Sequence, residues 1–212
     1  MASRPKPAPT QPRHARKEAT QARILDVARL HFERDGFERA SIRAIASEAG
    51  VATGTVLLHF ADKAGLLHAA LYEDLEKTIA RCLATKTQGT LLHRLTGIAR
   101  HFYNYYAARP KLSRTLLRES LFADEPWRGR FASQVVRVTT RVAVMVEQVK
   151  TAGELAPTAD ARVLSAAFAS FYYFALIGWV QGSLPDPLGV FERLMAQHLA
   201  GAAIPAAKED RR

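Results

Sequence analysis

His93 and His101, the carboxylate of Glu119 in the apolar run LLRESLF, and the thiol of Cys82 are the side chains whose type and placement could support metal binding or proton transfer. Eight residues apart, the two histidines can share one helix face, an arrangement that a partly exposed structural pair explains more readily than a ligand pair. Glu119 could act as an acid in principle, and pairing with Arg118 or another nearby base accounts for it equally simply. The seven histidines show no HExxH or His–Cys spacing, and no glycine-rich phosphate loop or G-x-S-x-G elbow occurs. The sequence therefore predicts no catalytic residue, no metal ligand and no cofactor. One cysteine excludes a disulfide framework and fits a buried thiol in a reducing, cytoplasmic setting.

A different chemistry is written into Ser41–Phe60, SIRAIASEAGVATGTVLLHF. Ile42, Ile45, Ala46 and Ala49 form the apolar face of a short helix that Ser41 can cap, and Gly50 stands where a left-handed residue must end it. A second short helix follows from about Thr53 to His59. Close crossing demands a small residue, which Ala46 supplies, while Val51 and Val56 pack beneath the second helix. Two brief helices joined by a glycine turn form a helix-turn-helix, which holds one helix proud of the surface so that it can enter a major groove of DNA.

The elements around this pair are helical too. Ile24, Ala28 and His31/Phe32 recur at helical spacing until Asp35-Gly36, and Asp62 can cap a further helix carrying Leu66, Leu67, Ala70, Leu71 and Leu75. Beyond Gly89 come a stripe ending before Pro110, a shorter helix over about Lys111–Phe122, and the loop ADEPWRGR. A heptad-like stripe follows (Phe131, Val135, Val138, Val142, Met145, Val149), then an apolar helix started by Thr158 and Asp160, and a last helix over about Leu188–Ala200. No period-two pattern competes, so the class is all-α. The expected organisation is a flexible basic arm over 1–15, a three-helix helix-turn-helix domain over 16–62, a connecting helix over 63–82, a helical domain over 83–204, and a flexible tail over 205–212.

Val163–Pro185 holds no Asp, Glu, Lys or Arg and is long enough to span a bilayer. Ser165, Ser170, Tyr172, Tyr173 and Gln181 within it, and the lack of a basic flank, favour a helix buried between others or across a dimer interface. The N-terminal residues carry charge and proline but no apolar h-region, so neither a signal peptide nor a membrane anchor is expected. Net charge is +10, which invites a polyanionic partner. It is unevenly placed. Residues 1–17 carry five bases and no acid, whereas residues 18–82 carry eight bases and ten acids.

Residues 20–67, TQARILDVARLHFERDGFERASIRAIASEAGVATGTVLLHFADKAGLL, resemble the DNA-binding domain of the tetracycline-repressor (TetR) family. The recurring elements are I-L-D-x-A, F-x-x-x-G-F, S-I-R-x-I-A, A-G-V, G-T and H-F-x-x-K-x-x-L. The resemblance implies that Ser41 and Arg43 meet phosphate and a base edge, that Thr53, Gly54 and Thr55 open the recognition helix into the groove, and that His59 and Lys63 meet the DNA backbone. These residue types suit those roles: arginine can read guanine through two hydrogen bonds, and threonine can contact a thymine methyl or a phosphate. Ala52, Thr53, Leu57 and Leu58 depart from the family pattern, as does Gly65 in the first turn of the connecting helix, where glycine should weaken the turn by up to about 1 kcal/mol relative to alanine.

The same resemblance implies a ligand-binding and dimerising domain in the second half, with the last two helices pairing across a two-fold axis. There, FYNYY (Phe102–Tyr106) and FYYF (Phe171–Phe174) place rings on several faces of two helices. Two readings stand side by side. Either these rings are ordinary core and dimer packing, or Phe102, Tyr106, Leu116, Met145, Phe168 and Tyr172 line an apolar pocket for a hydrophobic small molecule. Expected partners are thus a palindromic double-stranded DNA operator, a hydrophobic effector and a second copy of the chain, with no membrane. The implied function is a ligand-responsive repressor; the alternative is a ligand-binding or scaffolding protein of the same fold with weak DNA binding.

Overall fold

The computed structural model describes residues 13–85 and 88–202, and these residues form helices with no strand among them. In chain order they are α1 (Arg13–Arg39), α2 (Ile42–Glu48), α3 (Thr53–Phe60), α4 (Lys63–Ala84), α5 (Leu91–Ala107), α6 (Pro110–Phe122), α7 (Trp127–Thr151), α8 (Ala161–Val180) and α9 (Pro187–Ala202). The all-α expectation holds. Most of the expected arm, residues 1–12, and the expected tail, residues 205–212, lie outside the described residues. Helix α1 already begins at Arg13, three residues before the predicted start, and Gly36 (φ 79, ψ 166) breaks it where the sequence placed its end, with a short helical segment continuing to Arg39.

The chain divides into two compact units, one through Leu71 and one from Tyr72. In the first, Ile24, Leu25, Ala28 and Phe32 of α1 share a buried core with Ile45 and Ala46 of α2, Val56 of α3 and Leu66, Leu67 and Leu71 of α4. Polar ties reinforce it. The buried Arg29 donates from Nε to the Ala70 carbonyl (3.1 Å), and the buried His31 pairs through Nε2 with Glu48 Oε2 (2.8 Å), joining α1 to α4 and to α2.

In the second unit α8 packs against α7 and α9, and α5 packs against α9. Leu95, Phe102, Leu116, Phe131, Val142, Met145, Phe168, Leu176, Phe191 and Met195 are buried there. Asp160 starts α8 as predicted, its Oδ1 accepting from the amides of Arg162 (2.7 Å) and Val163 (3.3 Å). Helix α7 starts at Trp127, four residues before the predicted position, because Pro126 can occupy the N-cap and the Trp127 ring packs one turn ahead of Phe131, tilted by 38° with ring centroids 6.3 Å apart. The apolar stretch seen in the sequence is α8, which is long and apolar enough to cross a membrane (mean hydropathy 1.7). One side of α8 is core, and Val163 and Phe174, the latter 58% exposed, stand on the other.

Of the side chains that could have carried catalysis, His101, Glu119 and Cys82 are engaged in ordinary structure. His101 Nε2 lies 3.2 Å from the Thr78 carbonyl, and Glu119 pairs with Arg118 at 2.9 Å. Cys82 is buried, and burial pushes its thiol up to about 11, so it stays protonated.

Candidate nucleic-acid interface and apolar cleft

The α2–α3 pair is built by a specific turn. The amide of Gly50 (φ +64) donates to the Ser47 carbonyl at 3.1 Å and that of Val51 to the Ala46 carbonyl at 3.0 Å, which closes α2 in the left-handed cap that glycine tolerates best. Ala46, almost fully buried, sits at the crossing as expected. Helix α3 is then anchored by Val56 and Phe60 alone, so Thr53, Gly54, Leu57 and Leu58 remain exposed while Thr55 and His59 are half-buried. Leu58 is 85% exposed and Leu57 42%. This is the outward helix that the motif requires.

Ser41 and Arg43 are both exposed at the start of α2. Ser41 occupies the N-cap position in extended conformation, but its side chain makes no capping hydrogen bond, which corrects the capping role read from the sequence. Its amide-free hydroxyl is therefore not spent on the helix. Lys63 is held differently: Nζ donates to the Glu38 carbonyl at 3.1 Å and lies 4.5 Å above the Phe37 ring, so its charge is tethered to the end of α1.

The turn from α3 to α4 is tight. Ala61 takes φ +61 and ψ −54, and the Asp62 amide donates to the Phe60 carbonyl at 2.7 Å, closing a strained γ-turn. Asp62 caps α4 through Oδ1 to the Gly65 amide (2.7 Å). The same turn brings the Phe60 carbonyl to 2.3 Å from where a Cβ on residue 65 would lie. Gly65 is thus required by the close approach, and the expected gain from alanine there does not apply.

In the second unit an apolar cleft with an accessible volume of about 50 Å³ opens between α4, α5, α7 and α8. Phe102, Tyr106, Phe168 and Tyr172 line it, as four of the six predicted pocket residues. Leu116 and Met145 do not: both are packed into the core, because helical spacing identifies an apolar face without saying which neighbour covers it. Leu75, Ile79, Val135, Val138 and Gln134 are lining residues that sequence reasoning missed. The walls are ordered by rings, with Phe168 and Tyr172 parallel at 6.4 Å and Phe102 edge-on to Tyr172 at 6.0 Å. Tyr172 and Tyr106 share a hydrogen bond, and burial raises both phenols well above their ordinary range, so they are neutral.

The profile of the family described as bacterial regulatory proteins, tetR family, matches residues 24–70, which run from the core of α1 into α4 and contain the whole α2–α3 pair. Over this segment the chain is similar to the tetR family. The transcriptional regulator UidR of Escherichia coli is 38% identical over 64 residues, 30% of this chain and 33% of UidR, so the match spans a third of that relative's length. The transcriptional repressor KstR of Mycolicibacterium smegmatis is 28% identical over 159 residues, 74% of this chain and 75% of KstR. Among solved structures, the regulator FadR of Bacillus subtilis in complex with stearoyl-CoA superposes with a TM-score of 0.68 at 18% identity, covering 85% of this chain and 98% of FadR, which shows a common fold. The likeness to the tetR family is thus most specific where the exposed helix is built.

Proposed function

We propose that this protein is a ligand-responsive, DNA-binding transcriptional regulator of the cytoplasm, a repressor released from a palindromic operator by a hydrophobic small molecule. The observation that carries the reading is α3, a helix fixed by two buried side chains that offers Thr53, Gly54, Leu57 and Leu58 to solvent. Arg43 and Ser41 supply a base-reading fork and a phosphate contact at the start of α2, and Thr53, Gly54 and Thr55 lead α3 into the groove, with His59 toward the backbone. Lys63 gives one of its three N–H donors to the Glu38 carbonyl, which leaves two for a phosphate.

Two copies are needed to read a palindrome. The exposed face of α8, with Val163, Ala166 and Phe174, suits pairing with a second copy through α8 and α9, which would cover the apolar surface left by the single chain. The apolar cleft supplies the effector site, and the stearoyl-CoA complex of FadR supports the idea that this fold accepts small molecules. Leu75 and Ile79 of the cleft lie on α4, the same continuous helix whose first turn is tied to the end of α3. An effector that prefers one placement of α4 therefore lowers the fraction of dimers competent for DNA, by no more than its differential affinity for the two states.

Fluorescence anisotropy of the purified protein, on DNA from its own promoter and on scrambled DNA of equal length across a salt series, tests the reading. Selective nanomolar binding with a steep salt dependence is expected. Equal, weak binding to both would overturn it in favour of a ligand-binding protein on the same scaffold, a reading that the exposed leucines of α3 favour.

A further inference from the structure

We propose that the cleft selects an uncharged, largely apolar molecule carrying one hydrogen-bond donor, a hydroxyl or an N–H, aimed at Gln134 Oε1; this rests on the cleft being the effector site. Gln134 is 1% exposed and sits in the cleft wall on α7. Its amide can point only one way. Nε2 donates to the Tyr72 carbonyl at 3.1 Å and to Glu76 Oε1 at 2.9 Å, and since both neighbours are acceptors, the NH2 group must face them and the carbonyl oxygen must face away. Glu76 is itself held by Arg137, whose Nη1 lies 2.8 and 2.6 Å from its two oxygens, so the amide is clamped from behind. Oε1 is left buried without a partner among the described residues.

A buried, unsatisfied carbonyl oxygen is costly, and a donor that reaches it recovers that cost as binding energy. The rest of the lining narrows the class further. Leu75, Ile79, Phe102 and Phe168 offer only apolar contact, the Tyr106 and Tyr172 hydroxyls are joined to each other, Thr139 spends its hydroxyl on the Val135 and Val136 carbonyls, Tyr173 adds one neutral phenol, and among the described residues no Asp, Glu, Lys or Arg lines the cleft. A carboxylate or ammonium would be desolvated there without a counter-charge, which disfavours it strongly. An acceptor-only ligand would leave Oε1 as it was.

The test is isothermal titration of the full chain with three probes of closely similar shape: 4-butylphenol, its methyl ether 4-butylanisole, and 4-butylbenzoate. The phenol is expected to bind about tenfold more tightly than the ether, and the benzoate to bind more weakly than either. Gln134→Met should bring the phenol down to the level of the ether while leaving the ether within about threefold, and Ala169→Trp, which fills the cleft, should remove both. Circular dichroism confirms that each variant is folded, and the phenol-to-ether ratio of the unaltered chain stands without any variant. Equal affinity for phenol and ether would overturn the donor assignment while leaving the effector cleft standing. Binding of none of the three, or binding that survives Ala169→Trp, would overturn the cleft reading itself.

Discussion

Leu57 and Leu58 change what α3 can read. On the proposed reading, the outer face of α3 offers Thr53, Gly54 and two leucines but no amide or guanidinium, so apart from the Thr53 hydroxyl its contacts in a major groove would be with methyl groups, and among the bases only thymine presents one there. Replacing thymine by deoxyuridine across each operator half-site should lower affinity several-fold, and Leu58→Ala should make the protein indifferent to that replacement. Because Leu58 is 85% exposed, the substitution should move stability by less than about 0.5 kcal/mol. Anisotropy with the paired DNAs, together with a thermal melt, checks both halves. Arg43→Ala carries the complementary expectation: a loss of about 1–3 kcal/mol in operator binding with relaxed selectivity at one base position, read from a panel of single-base operator variants.

At the scale of elements, the α3–α4 turn makes opposite predictions for adjacent positions. Gly65→Ala should destabilise the protein by about 1–3 kcal/mol, because the new methyl meets the Phe60 carbonyl and backbone must move. Ala61→Gly should stabilise it by up to about 1 kcal/mol, since glycine relieves the positive φ at some cost in unfolded-chain entropy. Denaturant melts of the two variants decide it, and a neutral Gly65→Ala would refute the close approach. Local signals such as the Gly50 turn, the Asp160 cap and the Ala46 crossing were legible because each acts within a few residues. Consequences of an unusual backbone were not. The Phe60 carbonyl reaches Gly65 only because Ala61 takes a positive φ, which the sequence does not announce, and glycine there reads from sequence as a weakness. Gln134 hid in the same way: it is flanked by the apolar stripe of α7, yet the structure buries it in the cleft wall, while Val135 of that stripe lines the cleft and stays partly exposed. The early start of α7 was hidden by Pro126, which reads as a breaker until its place at a helix N-cap is seen. Leu116 and Met145 show the limit from the other side, since spacing placed them correctly on buried faces but assigned them to a pocket that other residues form.

For the whole molecule, charge is distributed against expectation for a DNA-binding unit. Residues 18–82 carry ten acids to eight bases, and the five bases of residues 1–17 precede them. If those residues embrace the duplex, deleting residues 1–12, which hold Arg4 and Lys6, should weaken binding to all sequences and flatten the salt dependence by about two counterions for each chain, leaving selectivity intact. An unchanged slope in the anisotropy salt series would assign the attraction elsewhere. Sedimentation at micromolar concentration should show a dimer, and Phe174→Glu on the exposed side of α8 should shift it toward monomer and abolish selective DNA binding, because a single recognition helix reads only half of a palindrome. The buried Cys82 has a practical consequence for such work. With the chain's one thiol protonated and enclosed, a cysteine introduced at exposed Ala52, beside α3, would be the sole site open to a maleimide spin label. One label on each copy would then turn the separation of the two recognition helices into a directly measured distance, with and without effector, in an otherwise native protein.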